Sequence, residues 1–291
     1  MPSASPEAKS VNLGVASRLD EAGRLLSEQG ANPYRVGAYH RAAETLRGLD
    51  RPVSEILDAE GLEGLDRLPG IGTTLARAIR DTVRLGRMPM LERLRGEMDP
   101  VLLLCSVPGI GNRLARRIHE DLGIDSLEDL EAAAHDGRLA SIAGLGKKRI
   151  AGVIDTLESR LRRVRMSPTP TPTEEAPVEE LLDVDREYRN RAAAGTLHRI
   201  APRRFNPEGK AWLPVLHTQR GPRHYTALFS NTARAHEQGK TDDWVVLYYD
   251  GGGAERQNTV ITSDRGPLRG RRIVRGREDD CERHYRGHPA V

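Results

Sequence analysis

The sequence predicts an α+β, multidomain protein, with an all-α N-terminal half and a small β-rich C-terminal domain, on three observations. A glycine turn recurs three times in the first half, each time ahead of a stretch with helical spacing of apolar residues. A proline- and acid-rich run, Met166-SPTPTPTEEAPVEE-Leu181, follows. From residue 197 onward, short β-type runs alternate with Gly, Pro and Asn. At 291 residues there is material for about two domains, and 37% apolar with 4% aromatic content implies light cores rather than one large catalytic barrel.

Taken in order, Val15, Leu19, Ala22 and Leu26 trace one helix face that Gly30 terminates. Asn32 caps a second helix with Pro33 at its first position. Val36, Tyr39, Ala43 and Leu46 lie on its buried face, while Arg35, His40, Arg41 and Arg47 face outward. Residues 51–65 supply a short helix before the first glycine turn.

The turns are Leu68-Pro-Gly-Ile-Gly72, Val107-Pro-Gly-Ile-Gly111 and Ile142-Ala-Gly-Leu-Gly146, spaced 39 and 35 residues apart. Leu75, Ile79 and Val83 continue the first as a helix face, Leu114 and Ile118 the second, Ile150 and Ile154 the third. Glycine allows positive φ and close backbone approach, and the intervening apolar residue pins the turn to a core. The helix that starts there offers unpaired N–H groups and a positive dipole end to an anion such as phosphate. Arg77 and Arg80, then Arg113, Arg116 and Arg117, then Lys147, Lys148 and Arg149 follow the three turns. Such a site grips the sugar-phosphate backbone without reading bases, and its affinity falls steeply with salt. Repetition separates this reading from an ordinary tight connection, and the pattern is that of helix-hairpin-helix motifs. The candidate DNA contacts are therefore Gly70, Gly72, Arg77, Gly109, Gly111, Arg113, Arg116, Arg117, Gly144, Gly146, Lys147, Lys148 and Arg149, with Arg35 and Tyr39 on the preceding helix.

Gly30-ANPYRVGAYHRA-Ala43, the first two glycine turns and Asp125-SLED-Leu130, in this order and spacing, resemble the N-terminal region of bacterial family X DNA polymerases, relatives of DNA polymerase beta. The resemblance covers about residues 10–162. It implies a small helical domain that recognises the 5′-phosphate of a gap or nick, a helix-hairpin-helix grip on the adjoining duplex, and potassium or sodium held by turn carbonyls, with no required cofactor. In relatives with deoxyribose-phosphate lyase activity a lysine forms a Schiff base with the abasic sugar. Ala78 stands at the matching position, and no lysine occurs between Val11 and Met98. Arginine cannot substitute, because its guanidinium stays protonated, so lyase activity is not expected. The Gly-Ser turn that opens a family X palm is missing too, and Asp183-Val-Asp185 reads as a solvated helix start rather than a metal-binding pair.

Charge divides the chain. Residues 1–165 carry a net +1, residues 166–190 a net −5 and residues 191–291 a net +7. The expected organisation is a polymerase-beta-like helical domain over 10–95, a tandem helix-hairpin-helix region over 96–163, an acidic Pro-rich linker over 164–182 and a basic β-rich domain over 183–291. In the last, residues 211–218 with 224–230, and 244–249 with 258–262, read as hairpins, the second around Gly251-Gly-Gly253; residues 230–239 between them read as a helix. Arg269, Arg271, Arg272, Arg275 and Arg277, with Tyr225, Tyr248 and Tyr249 for stacking, are weighed equally as an auxiliary nucleic-acid surface and as an ordinary basic surface. His217 and His224, joined by His198, His236, His284 and Asp250, carry the alternative of a metal-dependent nuclease or lyase, although no compact ligand motif is present. Cys105 and Cys281 are too few for a disulfide framework, and no apolar run spans a bilayer. The reading is a cytoplasmic, nucleoid-associated protein of DNA repair with DNA as partner, a protein partner through the C-terminal domain, and no membrane.

Overall fold

The computed structural model describes residues 6–97, 100–124, 127–161, 175–250 and 255–287. The helices of the first half are α1 (Pro6–Glu28), α2 (Pro33–Arg47), α3 (Val53–Asp66), α4 (Thr73–Leu85), α5 (Pro89–Arg95), α6 (Pro100–Cys105), α7 (Asn112–Leu122), α8 (Leu127–His135) and α9 (Lys147–Leu161). There follow α10 (Val178–Ala193), β1 (His198–Ile200), β2 (Leu213–Arg220), β3 (Arg223–Phe229), α11 (Ala233–Glu237), β4 (Val245–Tyr249), β5 (Arg256–Thr262), β6 (Arg272–Val274) and α12 (Glu278–Gly287). The six strands form one sheet in chain order, β1-β2-β3-β4-β5-β6. The β4–β5 pair is an antiparallel hairpin with Val245 opposite Val260 and Tyr249 opposite Arg256; Gly251 to Gly253, read as its turn, lie outside the described residues. An α+β fold with helices first and strands last is what the turn and alternation signals predict. No described helix is long and apolar enough to cross a membrane.

The chain forms two compact units, neither continuous in sequence. One comprises Met1–Glu97, Thr196–Thr226 and Asp250–Glu255; the other comprises Met98–Gly195, Ala227–Tyr249 and Arg256–Val291.

In the first unit, α1 to α5 enclose Leu19, Leu26, Leu46, Leu65 and Ile79. Gly30 (φ +74°) ends α1, its neighbour Ala31 donating back to the Leu26 carbonyl at 2.9 Å, and the Asn32 side chain accepts from Tyr34 N at 2.9 Å, the stop and cap read from sequence. Asn12, 2% exposed, accepts from Val53 N at 2.7 Å and donates to the Arg51 carbonyl at 2.9 Å, fixing the start of α3. Within the same unit, Gln29 donates to the Leu94 carbonyl at 2.7 Å, so its Oε1 accepts from His217 Nε2 at 2.9 Å. His217 Nδ1 is then the acceptor for the Thr226 hydroxyl at 3.1 Å, which assigns the Nε2–H tautomer. Burial, with the charges of Arg35 and Arg93, pushes the His217 pKa down to about 3.

That depression has a signed consequence. The unfolded chain takes up this proton near the ordinary value of 6.5 and the folded protein refuses it down to about 3, so stability is complete above pH 6.5 and declines as pH falls through this window. Between pH 7 and pH 5 the loss is about 2 kcal/mol. Urea unfolding at the two pH values should show it in the wild type and a smaller change in His217→Gln; equal changes would refute the assignment.

The second unit packs the tandem turns of α6 to α9 around Leu104, Ile110, Ile118, Leu130, Leu139, Leu145 and Leu157. α10 begins at Val178, inside the stretch read as linker, because Val178, Leu181 and Leu182 are buried; linker residues 162–174 lie outside the described residues. Asp185 is not solvated, contrary to the sequence reading. It is 1% exposed and grips Arg272 through two bonds, at 2.6 and 3.1 Å, while Arg189 Nε adds a third at 3.1 Å. Arg272 also reaches Asp243 at 2.5 Å and the Val260 carbonyl at 3.0 Å, tying α10, β5, β6 and the approach to β4 together. Burial pushes the Asp243 carboxyl up, but the Thr262 hydrogen bond and Arg272 outweigh it and hold the group below its ordinary value.

Candidate nucleic-acid interface

The three turns repeat one geometry. Gly70, Gly109 and Gly144 have φ of +73°, +86° and +99°. The following residue donates back across the turn, Ile71 N to Leu68 O at 3.1 Å, Ile110 N to Val107 O at 3.0 Å and Leu145 N to Ile142 O at 3.0 Å. Ile71, Ile110 and Leu145 are buried, as pins should be. Gly72 and Gly111 are the N-cap residues of α4 and α7, extended, exposed and with no side chain bonded to the helix N–H groups. Those donors stay available to an anion.

The cations around the turns fall into two groups. Arg113, Lys147 and Lys148 are exposed and make no ion pair among the described residues, and Arg116 is exposed with only its Nε engaged, on Asn112 Oδ1 at 3.0 Å. Arg117 and Arg149 do something else. Arg117 Nη1 donates to the Ala143 carbonyl of the third turn at 2.8 Å. Arg149 Nη1 donates to the Gly144 carbonyl at 2.7 Å, and its Cγ lies 3.7 Å from where a Cβ on Gly109 would be. They brace the second and third turns against each other, with one Nη of each guanidinium committed to a turn carbonyl.

The first turn is fastened differently, the Thr45 hydroxyl donating to the Pro69 carbonyl at 2.7 Å. Arg77 is half-buried on α4, and Arg80 pairs with Asp81 at 2.7 Å. On the outward face of α2, His40 bonds Asp20 at 2.9 Å and Arg47 pairs with the same carboxylate. Burial pushes Asp20 up, but these two partners hold its pKa below the ordinary carboxylate value. Arg41 makes no ion pair among the described residues, and its Cβ lies 3.5 Å from the Cβ position of Gly70. It belongs to the first turn although it lies far from it in sequence; only its outward position on α2 hinted at this. Tyr39 is corrected: it is 3% exposed, its hydroxyl on Met90 Sδ at 3.1 Å, and burial raises its pKa. Arg35 is half-buried, its Nη2 3.8 Å from Met90 Sδ.

In the C-terminal third the stacking tyrosines are also corrected, because Tyr225, Tyr248 and Tyr249 are all buried. Of the five clustered arginines, Arg272 is held by carboxylates, and Arg277 donates to the Ala176 carbonyl at 2.7 Å and pairs with Asp280 at 2.8 Å. Arg271 and Arg275 lie over the rings of Tyr285 and Trp244, at 4.7 and 4.4 Å. His217 is a half-buried hydrogen-bonding residue; the backbone N–H of His224 donates to Asp250 at 3.0 Å. Among the described residues no three His, Cys, Asp or Glu side chains gather as a metal site.

The geometry defines the class, tandem helix-hairpin-helix modules. Residues 10–88 match the model of the Helix-hairpin-helix domain, and residues 101–159 that of the SAM-like Helix-hairpin-helix tandem. The chain is 30% identical over 130 residues to the DNA polymerase/3'-5' exonuclease PolX of Bacillus subtilis (strain 168), a stretch that is 44% of this chain and 22% of that protein. The N-terminal region is family X polymerase-like, and the chain matches about a fifth of the length of this curated relative.

Proposed function

We propose that the protein binds DNA without sequence preference, gripping backbone phosphates at gaps, nicks or ends in the service of repair, and that it does so without polymerase or lyase chemistry of its own. The helix-hairpin-helix matches and the PolX relative support DNA binding in a repair or replication context. The observation that carries the finer reading is the second and third turns, braced by Arg117 and Arg149, with Arg113, Lys147 and Lys148 uncommitted beside their helix starts. Ala78, half-buried on α4 where the lyase lysine of relatives would stand, supports the absence of lyase chemistry.

A bound potassium or sodium ion fits unevenly. The third turn's Ala143 and Gly144 oxygens already accept from guanidinium groups, and Pro69 O of the first accepts from Thr45. The second turn, whose carbonyls accept no side-chain bond among the described residues, is the one left for such an ion. On this reading the protein works in the cytoplasm on the nucleoid, and the C-terminal third adds contacts or recruits a protein partner.

Titration of intact duplex, nicked duplex and a short 5′-phosphorylated gap of matching sequence, with and without magnesium, tests the proposal. Tighter binding to the gap with strands intact is expected. Magnesium-dependent cutting would overturn it.

A further inference from the structure

The connection between β5 and β6, residues 263–271, is tied to itself throughout its length. Ser263 N donates to the Arg271 carbonyl at 2.9 Å and Gly270 N returns to the Ser263 carbonyl at 2.8 Å, which closes the base. Inside it the Ser263 hydroxyl donates to the Arg265 carbonyl at 2.9 Å. Arg269 N and Arg271 N donate to the Gly266 and Leu268 carbonyls, at 3.2 and 2.9 Å, around a single 3-10 turn, Gly266–Leu268. Leu268 is buried and pins the turn, and Gly266 and Gly270 supply φ of +66° and +79°. Chain neighbours aside, no heavy atom lies within 4 Å of the Cβ position of either glycine, so the surface over the turn is open.

This frame carries arginines. The Arg265 side chain is 93% exposed, and its one ion pair among the described residues is a loose one, 3.7 Å to an equally exposed Asp264. Arg269 is exposed and makes no ion pair among the described residues. Arg271 follows, half-buried, its guanidinium 4.7 Å from the centre of the Tyr285 ring, whose hydroxyl donates to the Arg272 carbonyl at 2.8 Å.

We propose that this turn is a further phosphate grip, separate from the helix-hairpin-helix turns, in which Arg265 and Arg269 each take a phosphate of the DNA backbone while the glycines let that backbone come close. It uses the ingredients of the glycine turns, positive-φ glycine, a buried apolar pin and uncommitted cations, on a strand connection instead of a helix pair. It belongs to the same compact unit as the second and third of them, and to the segment 191–291 that carries a net +7. Grips joined in one chain reinforce each other, because the second engages at the effective concentration set by the first. The surroundings favour nucleic acid over a protein partner. Asp264, Arg265, Gly266, Pro267, Arg269 and Gly270 are exposed, and the one large apolar side chain of the turn, Leu268, is buried, so the turn offers no apolar anchor for protein docking. Contacts to phosphate carry no sequence information, so the turn adds affinity and salt dependence without adding preference.

The inference rests on the DNA-binding reading of the helix-hairpin-helix turns, and its test separates the two. Affinity for a long intact duplex is measured against salt for the full chain, for Arg265→Ala with Arg269→Ala, and for Arg283→Ala with Arg286→Ala. The last pair removes equal charge from α12, where the arginines are paired with Asp280 and Glu282. In the turn variant the slope of log affinity against log salt falls by about 2 and affinity at moderate salt by about tenfold, while the α12 variant stays within about half a unit of the wild type. Arg265→Lys with Arg269→Lys keeps most of the slope, since lysine also neutralises phosphate. Both turn side chains are exposed, so the alanine variant unfolds at the wild-type urea concentration. A wild-type slope in the turn variant would overturn the grip, leave the DNA-binding reading standing and point the exposed arginines to an acidic protein partner. An equal fall in the turn and α12 variants would overturn it too, by showing a diffuse field instead of a site. Failure of the wild type to bind the duplex would overturn both readings.

Discussion

Arg272→Leu is expected to lower the stability of the protein by about 3–5 kcal/mol, the largest effect of any single substitution outside the hydrophobic cores. Asp185 is almost wholly buried, and this guanidinium makes two bonds to it, one of them its shortest at 2.6 Å. The same side chain pairs with Asp243, which would keep the Thr262 hydroxyl at 2.6 Å and Lys240 at 3.6 Å. A buried pair contributes little net stability relative to well-packed apolar residues, because desolvation consumes most of the attraction. Removing one partner is costly all the same, since the other is left charged and dry. Arg189 covers only part of the loss, as its single bond at 3.1 Å replaces no bidentate pairing. Arg272→Lys is expected to recover less than half of the loss, because an ammonium cannot serve two carboxylates and a carbonyl in the planar fork that arginine provides. In the double variant Arg272→Leu with Asp185→Leu the penalty shrinks. Urea unfolding of the four proteins decides it; a loss below about 1 kcal/mol in Arg272→Leu would show that Asp185 does not depend on this guanidinium.

Asp185 and Arg272 also mark where sequence reasoning stops. Both stand in stretches that look solvated, one in an acidic run and the other in an arginine cluster, and 87 residues separate them. Local composition cannot say that two opposite charges will be buried together; only the sheet and α10 do. The tyrosines failed for a related reason. An aromatic in a strand has the same local signature whether it faces a ligand or a core, and Tyr225 and Tyr249 face the core. The turns were legible because their demand is local: positive φ, a close approach and an apolar pin within five residues leave few alternatives to glycine. Gly30 and Asn32 were legible on the same terms. What the turns' arginines do was not, since Arg113 and Arg117 occupy the same helix, yet only Arg117 reaches the Ala143 carbonyl and pairs with Asp121 at 3.8 Å.

That difference between neighbouring arginines yields the second expected result. Arg113→Ala with Lys148→Ala removes one uncommitted cation from each braced turn, and binding to every DNA sequence should weaken alike, by about a hundredfold near physiological salt. The slope of log affinity against log salt should fall by about 2, one unit for each phosphate no longer neutralised. Arg117→Met removes a cation from the same region but takes away a hydrogen bond to Ala143 rather than a grip on phosphate. Its salt slope should therefore stay within about half a unit of the wild type, while stability falls by about 1 kcal/mol. A tally of nearby positive charges cannot produce this contrast, because by charge alone Arg117 and Arg113 are equivalent. If the slopes of Arg113→Ala and Arg117→Met fall together, the brace is not what sets Arg117 apart, and the positive field as a whole grips the backbone. If only the uncommitted cations move the slope, the phosphates sit at the helix starts, and the spacing of the second and third turns fixes which two stretches of backbone are held.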